Sequence, residues 1–303
     1  MTTRVYLSFL MLFVLFHSAI AQQKPNLALL NYTHGIYVNN TLLLNIRGYN
    51  ITIERAQGNF SKPYFSRMFP RLGLHQGYHA IADSSLGVPT FIIKDVWNGS
   101  NYLGIFSQCT FFQIAPDTVL GMSVSGLLNL GIAFEREIFE LAKHPDWIPD
   151  SLTSHAKPPI IFDFCGRKIE LPNICSWRGA TALHCSRDGM MNWSIHPSLD
   201  EAKKYCEFQE HAYIGSHLFK IEKEEIIPVS FEGTKVSAKK IRYHAKAGTN
   251  LLLNTKGSRT LIVYYIATPV RGRFVCAVLS YWTSDRLEKN GLPSLLNEVM
   301  RLK

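Results

Sequence analysis

No complete catalytic or metal-binding signature occurs among the 303 residues. The nearest approach to a nucleophile elbow is Gly121-Met-Ser123-Val-Ser125-Gly126, whose second glycine falls one residue too late for G-x-S-x-G. His75 and His79 have the spacing of one helix face, but no H-E-x-x-H glutamate accompanies them and the glycines around them favour a loop. Glu210, His211 and His217 form a site only if the fold gathers them. No two of the six cysteines stand at C-x-x-C spacing, which removes the usual zinc frameworks. No catalytic residue, metal ligand or cofactor is therefore assigned. A dispersed Ser/His/Asp set leaves no local signature, so a secreted hydrolase stays as an alternative reading. Low-complexity and Pro/Gly-rich blocks are also missing, and 47% hydrophobic with 18% charged residues is the composition of a globular chain. Without a nucleic-acid reading module, no nucleic-acid partner is expected.

What the chain does have begins at its N-terminus. Arg4 gives a positive start, Tyr6 to Phe16 is an apolar run too short to span a bilayer, and Ala19-Ile20-Ala21 supplies small residues for cleavage. Residues 1–21 are expected to be a signal peptide, which makes the protein secreted and extracellular. In that compartment cysteines form disulfides, and Asn-x-Ser/Thr triplets become glycan acceptors. There are six such triplets, at Asn31, Asn39, Asn50, Asn59, Asn98 and Asn192. Five fall in the first third of the chain, so glycans would cover the N-terminal part and leave the rest relatively bare. No second segment is a convincing stable membrane span.

About 280 residues after the signal suffice for two domains. Residues 22–156 carry nine Lys/Arg and nine Asp/Glu, whereas 157–303 carry 22 and 14. Short alternating runs at Gly35 to Val38, Thr41 to Ile46, Tyr49 to Ile53, Thr90 to Val96 and Tyr102 to Phe112 predict strands, and Leu27 to Asn31 predicts another. Pro116-Asp117 opens the longest helical candidate, running to about Lys143. Its first part, Thr118 to Phe134, has no charge; a buried helix is the first reading and a membrane-active segment the alternative. Pro145, Pro149, Pro158 and Pro159 mark a linker, placing the boundary between an N-glycosylated α+β domain (22–156) and a disulfide-bonded domain (157–303). In the second, Lys235 to Arg242 contains no acid, which makes Lys235, Lys239, Lys240 and Arg242 candidates for binding an anionic partner.

Cys109 stands alone in the first half, with Cys165, Cys175, Cys185, Cys206 and Cys276 after the linker. Six cysteines allow fifteen pairings. The simplest count links Cys109 to Cys165 or Cys175 across the boundary. Ser258 to Val278 predicts a strand, a corner and a second strand that carries Phe274-x-Cys276. Upstream, Leu183-x-Cys185 precedes Trp193. These residues resemble the core of immunoglobulin domains, with Phe274 where that family has its corner tyrosine. The resemblance covers about 110 residues and implies a sandwich with a Cys185–Cys276 bridge packed by Trp193. A second frame pairs Cys206 with Cys276, at the better interval of 70 residues, and puts Phe219 in place of the tryptophan. The expected fold is mostly β with some α: an α+β or β-rich domain followed by an immunoglobulin-like β-sandwich. The expected function is extracellular recognition of a protein or an anionic glycan.

Overall fold

The structure, a computed structural model, describes residues 28–72, 74, 79–83, 87–94, 106–126, 132–215, 218–246 and 258–303. The expected signal peptide, Asn98, His75 and His217 lie outside these residues. The described chain is mostly β and is organised around two eight-stranded sheets, with a separate two-stranded hairpin.

The first sheet contains β1 (Thr33–Val38), β2 (Thr41–Ile46), β3 (Tyr49–Gln57), β4 (Ile81–Asp83), β5 (Thr90–Lys94), β6 (Phe106–Ala115), β7 (Thr118–Gly126) and β8 (Thr153–His155). Its order is β4-β5-β6-β7-β3-β2-β1-β8, two meanders joined at the β3–β7 pair, with only β8 running parallel to its neighbour. The expected strands from Gly35 to Ile53 are present, although Ala28–Tyr32 forms a 3-10 turn rather than a strand. Helix α1 (Ile132–Lys143) closes one face. Period-2 alternation turns Ile51, Ile53, Leu120, Met122 and Val124 toward it, where they pack with Ile138, Phe139 and Leu141. Arg55 of β3 donates to the carbonyls of Ala142 and Lys143, satisfying the helix C-terminus.

The long helix expected from Pro116 to Lys143 is thus a correction. Thr118–Gly126 is a central strand and only Ile132–Lys143 is helical. The stretch that suggested a helix lacks charge because β7 buries Leu120, Met122 and Val124 against α1, while its other face carries Val119, Gly121 and two serines. The membrane-active alternative loses its spanning helix, and no helix among the described residues is long and apolar enough to cross a bilayer.

The hairpin joins β9 (Ile160–Phe164) to β10 (Arg167–Leu171). The second sheet contains β11 (Cys175–Gly179), β12 (Ala182–Cys185), β13 (Gly189–His196), β14 (Phe219–Phe231), β15 (Thr234–Ala245), β16 (Thr260–Val270), β17 (Arg273–Trp282) and β18 (Met300–Leu302). It is antiparallel throughout, in the order β11-β12-β13-β17-β16-β15-β14-β18. Helix α2 (Leu199–Gly215) lies on one face over Val263, Tyr265 and Val278. On the other face Phe162 and Phe164 of the hairpin pack with Trp193, Phe231 and Tyr264.

Two disulfides form, Cys175–Cys185 and Cys206–Cys276. The first joins facing residues of neighbouring strands. The second ties α2 to β17, so Cys276 pairs with Cys206 and not with Cys185. Cys276 therefore anchors a helix on a sheet instead of bridging two sheets as the resemblance implied. Cys109 and Cys165 are unpaired and buried in different cores, which corrects the expected link across the boundary. Burial pushes both thiols up to about 12.

Candidate functional site

The two sheets meet along β1, β2 and β13, and their contact leaves a cleft of about 370 Å³. One wall is the face of the first sheet turned away from α1. There, Asn50 and Thr52 of β3 sit beside Ser123 and Ser125 of β7, because Asn50 registers with Ser125 and Thr52 with Ser123. The alternation that buries Ile51, Met122 and Val124 presents these hydroxyls and amides to the cleft. Ser123, Ser125 and Gly126 of the failed elbow motif thus line the polar wall, while Gly121 packs against Phe69 and Leu72. The opposite wall comes from Asn192 of β13, the β11–β12 turn, and Tyr205, Phe208 and Gln209 of α2.

Arg178 is the only charged side chain among the described lining residues. It is exposed at the rim, with Nη2 3.4 Å from His184 Nδ1. The cleft combines neutral hydrogen-bonding groups, one aromatic flank and one cation. Such a surface complements a hydroxyl-rich ligand that carries a single negative charge.

Docking of the halves is specific. His34 of β1 enters the second core, where its ring meets Trp177, Trp193 and Phe162 at centroid distances of 5.7, 5.2 and 6.4 Å. Nδ1–H donates to the Ala180 carbonyl at 2.8 Å, while Nε2 has no partner. Burial holds the imidazole down at about 4, so it is neutral at physiological pH. Near the cleft, the Tyr205 hydroxyl donates to the Gly48 carbonyl at 2.9 Å.

A serine and a histidine do come together. Ser194 Oγ lies 2.7 Å from His196 Nε2 on β13, beneath Tyr205, whose ring centroid is 5.0 Å from the imidazole. Both side chains are buried, neither lines the cleft, and burial keeps His196 at about 4. A base held neutral and sealed under a helix has no access to substrate, so the pair is a structural hydrogen bond.

Three of the four basic candidates are held in ion pairs. Lys239 pairs with Glu210 at 2.8 Å and Glu224 at 2.9 Å, Lys240 with Glu225 at 3.1 Å, and Arg242 with Glu222 at 2.9 Å. Lys239 lies on the α2 face while Lys240 lies over the Tyr264 ring on the other. Lys235 is exposed near the β14–β15 turn. The acid-free run is neutralised by the strand beside it, which register with β14 brings into contact and sequence distance concealed. Glu210 is spent on Lys239, His211 is exposed beside it, and His79 is exposed in the first half. No group of three or more potential metal ligands occurs among the described residues. Asn31, Asn39 and Asn59 are exposed outside the cleft lining, as glycan acceptors require, whereas Asn50, exposed, and Asn192, half-buried, stand in the cleft walls.

Helix α2, which supplies three cleft residues, was missed in the sequence and had a signal there. Ser198-x-x-Glu201 is a capping box, and Ser198 Oγ accepts from the Glu201 amide at 3.2 Å. No protein-family model and no curated protein matches the chain. Among solved structures it is similar to the di-domain ARO/CYC StfQ from the steffimycin biosynthetic pathway. That similarity is 11% identity over 77% of this chain and 84% of the other, with a TM-score of 0.17.

Proposed function

We propose that the chain is a secreted, N-glycosylated binding protein whose inter-sheet cleft holds the terminus of an acidic glycan. The observation that carries this reading is the cleft wall itself. Asn50, Thr52, Ser123 and Ser125 offer donors and acceptors in a fixed array, while Arg178 is the single charge at the rim. Carbohydrate hydroxyls are matched by such neutral groups, and a carboxylate or sulfate is matched by a guanidinium. Tyr205 and Phe208 add apolar faces for a sugar ring. Two disulfides and three exposed sequons outside the cleft lining, at Asn31, Asn39 and Asn59, support an extracellular setting.

The secreted protein should bind sialylated or sulfated oligosaccharides on an array, in preference to their neutral parents. Arg178→Ala, which removes the rim charge without touching a core, should weaken binding tenfold or more. Equal binding of charged and neutral sugars, or an Arg178→Ala variant that binds as well as the parent, would overturn the reading.

A further inference from the structure

Strand β14 is an outer strand over most of its length. On one side it pairs with β15 from Phe219 to Phe231, but on the other β18 covers only Val229 to Phe231. Among the described residues nothing pairs with the outer edge of Phe219 to Pro228. A bare edge of this kind presents unpaired amides and carbonyls to any strand that fits. It also carries Ile226, which at 66% exposure is the most exposed large hydrophobic side chain among the described residues.

Charges, a proline and a bulge usually guard such edges, and all three are present: the mixed run Lys220 to Glu225, Pro228, and a register shift between Ile221 and Lys223. The order of the charges, however, does more than repel. Laid antiparallel against its own copy with the axis between residues 222 and 223, the strand sets Phe219 opposite Ile226. The same register sets Lys220 opposite Glu225 and Glu222 opposite Lys223, alongside the contacts that Glu225 makes with Lys223 and Lys240 and Glu222 with Arg242 and His244 in its own chain. Apolar meets apolar and cation meets anion, and only Ile221 opposite Glu224 is mismatched.

Side-chain faces agree with this register. Phe219 and Ile226 both lie on the α2 side of the sheet, since their partners on β15 are Ala245 and Lys239, which flank Tyr243 and Ile241 on that face. Lys220 and Glu225 both lie on the opposite side, across from His244 and Lys240. The bulged Glu222 falls at the axis. No sequon lies on β14 or on its neighbours β15 and β18.

We infer that β14 docks on β14 of a second copy of this chain, in an isologous two-fold contact that runs the two sheets into one. The contact covers Ile226 with the Phe219 of the second copy, and the paired charges fix the register. This inference does not rest on the cleft reading, because the edge lies on a different element and needs no ligand.

The test is sedimentation of the full secreted protein at about 50 μM, where a dimer of micromolar Kd is populated. The parent should run as a dimer that dissociates on dilution, and Ile226→Lys as a monomer with an unchanged circular dichroism spectrum. Lys220→Glu alone and Glu225→Lys alone each place like charges across the axis and should be monomeric. Mixed together, their charges become complementary and a heterodimer should return. A parent that stays monomeric, an Ile226→Lys variant that still dimerises, or a mixture that fails to associate would each overturn the inference.

Discussion

The aromatic ring of Tyr205 lies against Gly48, 157 residues earlier in the chain, and its hydroxyl donates to the Gly48 carbonyl at 2.9 Å. A Cβ on residue 48 would stand 2.5 Å from that ring, on a backbone with φ of +85°. Two independent constraints therefore require glycine at the junction that shapes the cleft. Gly48→Ala should destabilise the protein by about 1–3 kcal/mol, the range for strained, overpacked sites. Urea denaturation measures this, and a loss under about 0.5 kcal/mol would show that the junction is not tightly packed.

The bridge between α2 and β17 closes a longer loop than the bridge between β11 and β12, with separations of 70 and 10 residues. Chain entropy gives about 4 kcal/mol for the first and about 3 kcal/mol for the second. Cys206→Ser with Cys276→Ser should therefore lower the melting temperature more than Cys175→Ser with Cys185→Ser. The reverse order would mean that α2 is held mainly by its packing.

Glu232, in the β14–β15 turn, is nearly buried and receives two arginines, Arg167 at 2.7 Å and Arg271 at 2.7 Å. Arg271 also donates to the Cys165 carbonyl at 2.7 Å and the Phe164 carbonyl at 2.6 Å. Three tight hairpin turns, β9–β10, β14–β15 and β16–β17, are thereby clamped together. Removing the carboxylate strands two cations together, so Glu232→Ala should cost about 3 kcal/mol or more. Arg271→Lys keeps the charge but loses the fork that reaches both carbonyls, and should recover less than half of the clamp. Full stability in that variant would show that charge alone suffices.

His34 and His196 are both held at about 4, against an ordinary value of 6.5, because burial disfavours the charged ring. Above pH 6.5 neither state binds these protons and stability is flat. As pH falls from 6.5 toward 4 the unfolded chain takes up protons that the native chain refuses, so stability drops; below 4 the native rings also titrate and the loss levels off. Each ring contributes on the order of 3 kcal/mol at full effect. Facing His34 are Asp163 and Arg273, which act in opposite directions. Melting temperature followed from pH 8 to pH 4 should fall mainly below 6.5, and His34→Phe should flatten part of that slope. A slope unchanged in His34→Phe would remove the histidine from the account.

Much of the β framework was legible because strands announce themselves locally. Thr41–Ile46 follows from a short apolar run bounded by the Asn39-Asn40 and Arg47-Gly48 turn signals, and the Arg271-Gly272 corner between β16 and β17 follows from its turn residues. Thr118–Gly126 does not read as a strand because its cleft side carries only small uncharged residues, so the run looks continuously apolar, and such a run does not distinguish strand from helix. The cleft was not legible at all. Its walls come from β3, β7, β11, β13 and α2, and no local pattern records that Asn50 and Ser125 will lie side by side. The acid-free run at Lys235 misled for the same reason, since its neutralising glutamates arrive by strand pairing.

The cleft claim is tested most directly by calorimetric titration of a sialylated or sulfated oligosaccharide into the parent protein and into Ser125→Leu, which projects a larger apolar side chain from the polar wall. Saturable one-to-one binding to the parent is expected, with a loss of at least tenfold in the variant and the fold intact by circular dichroism. Equal affinity in the two proteins would contradict it.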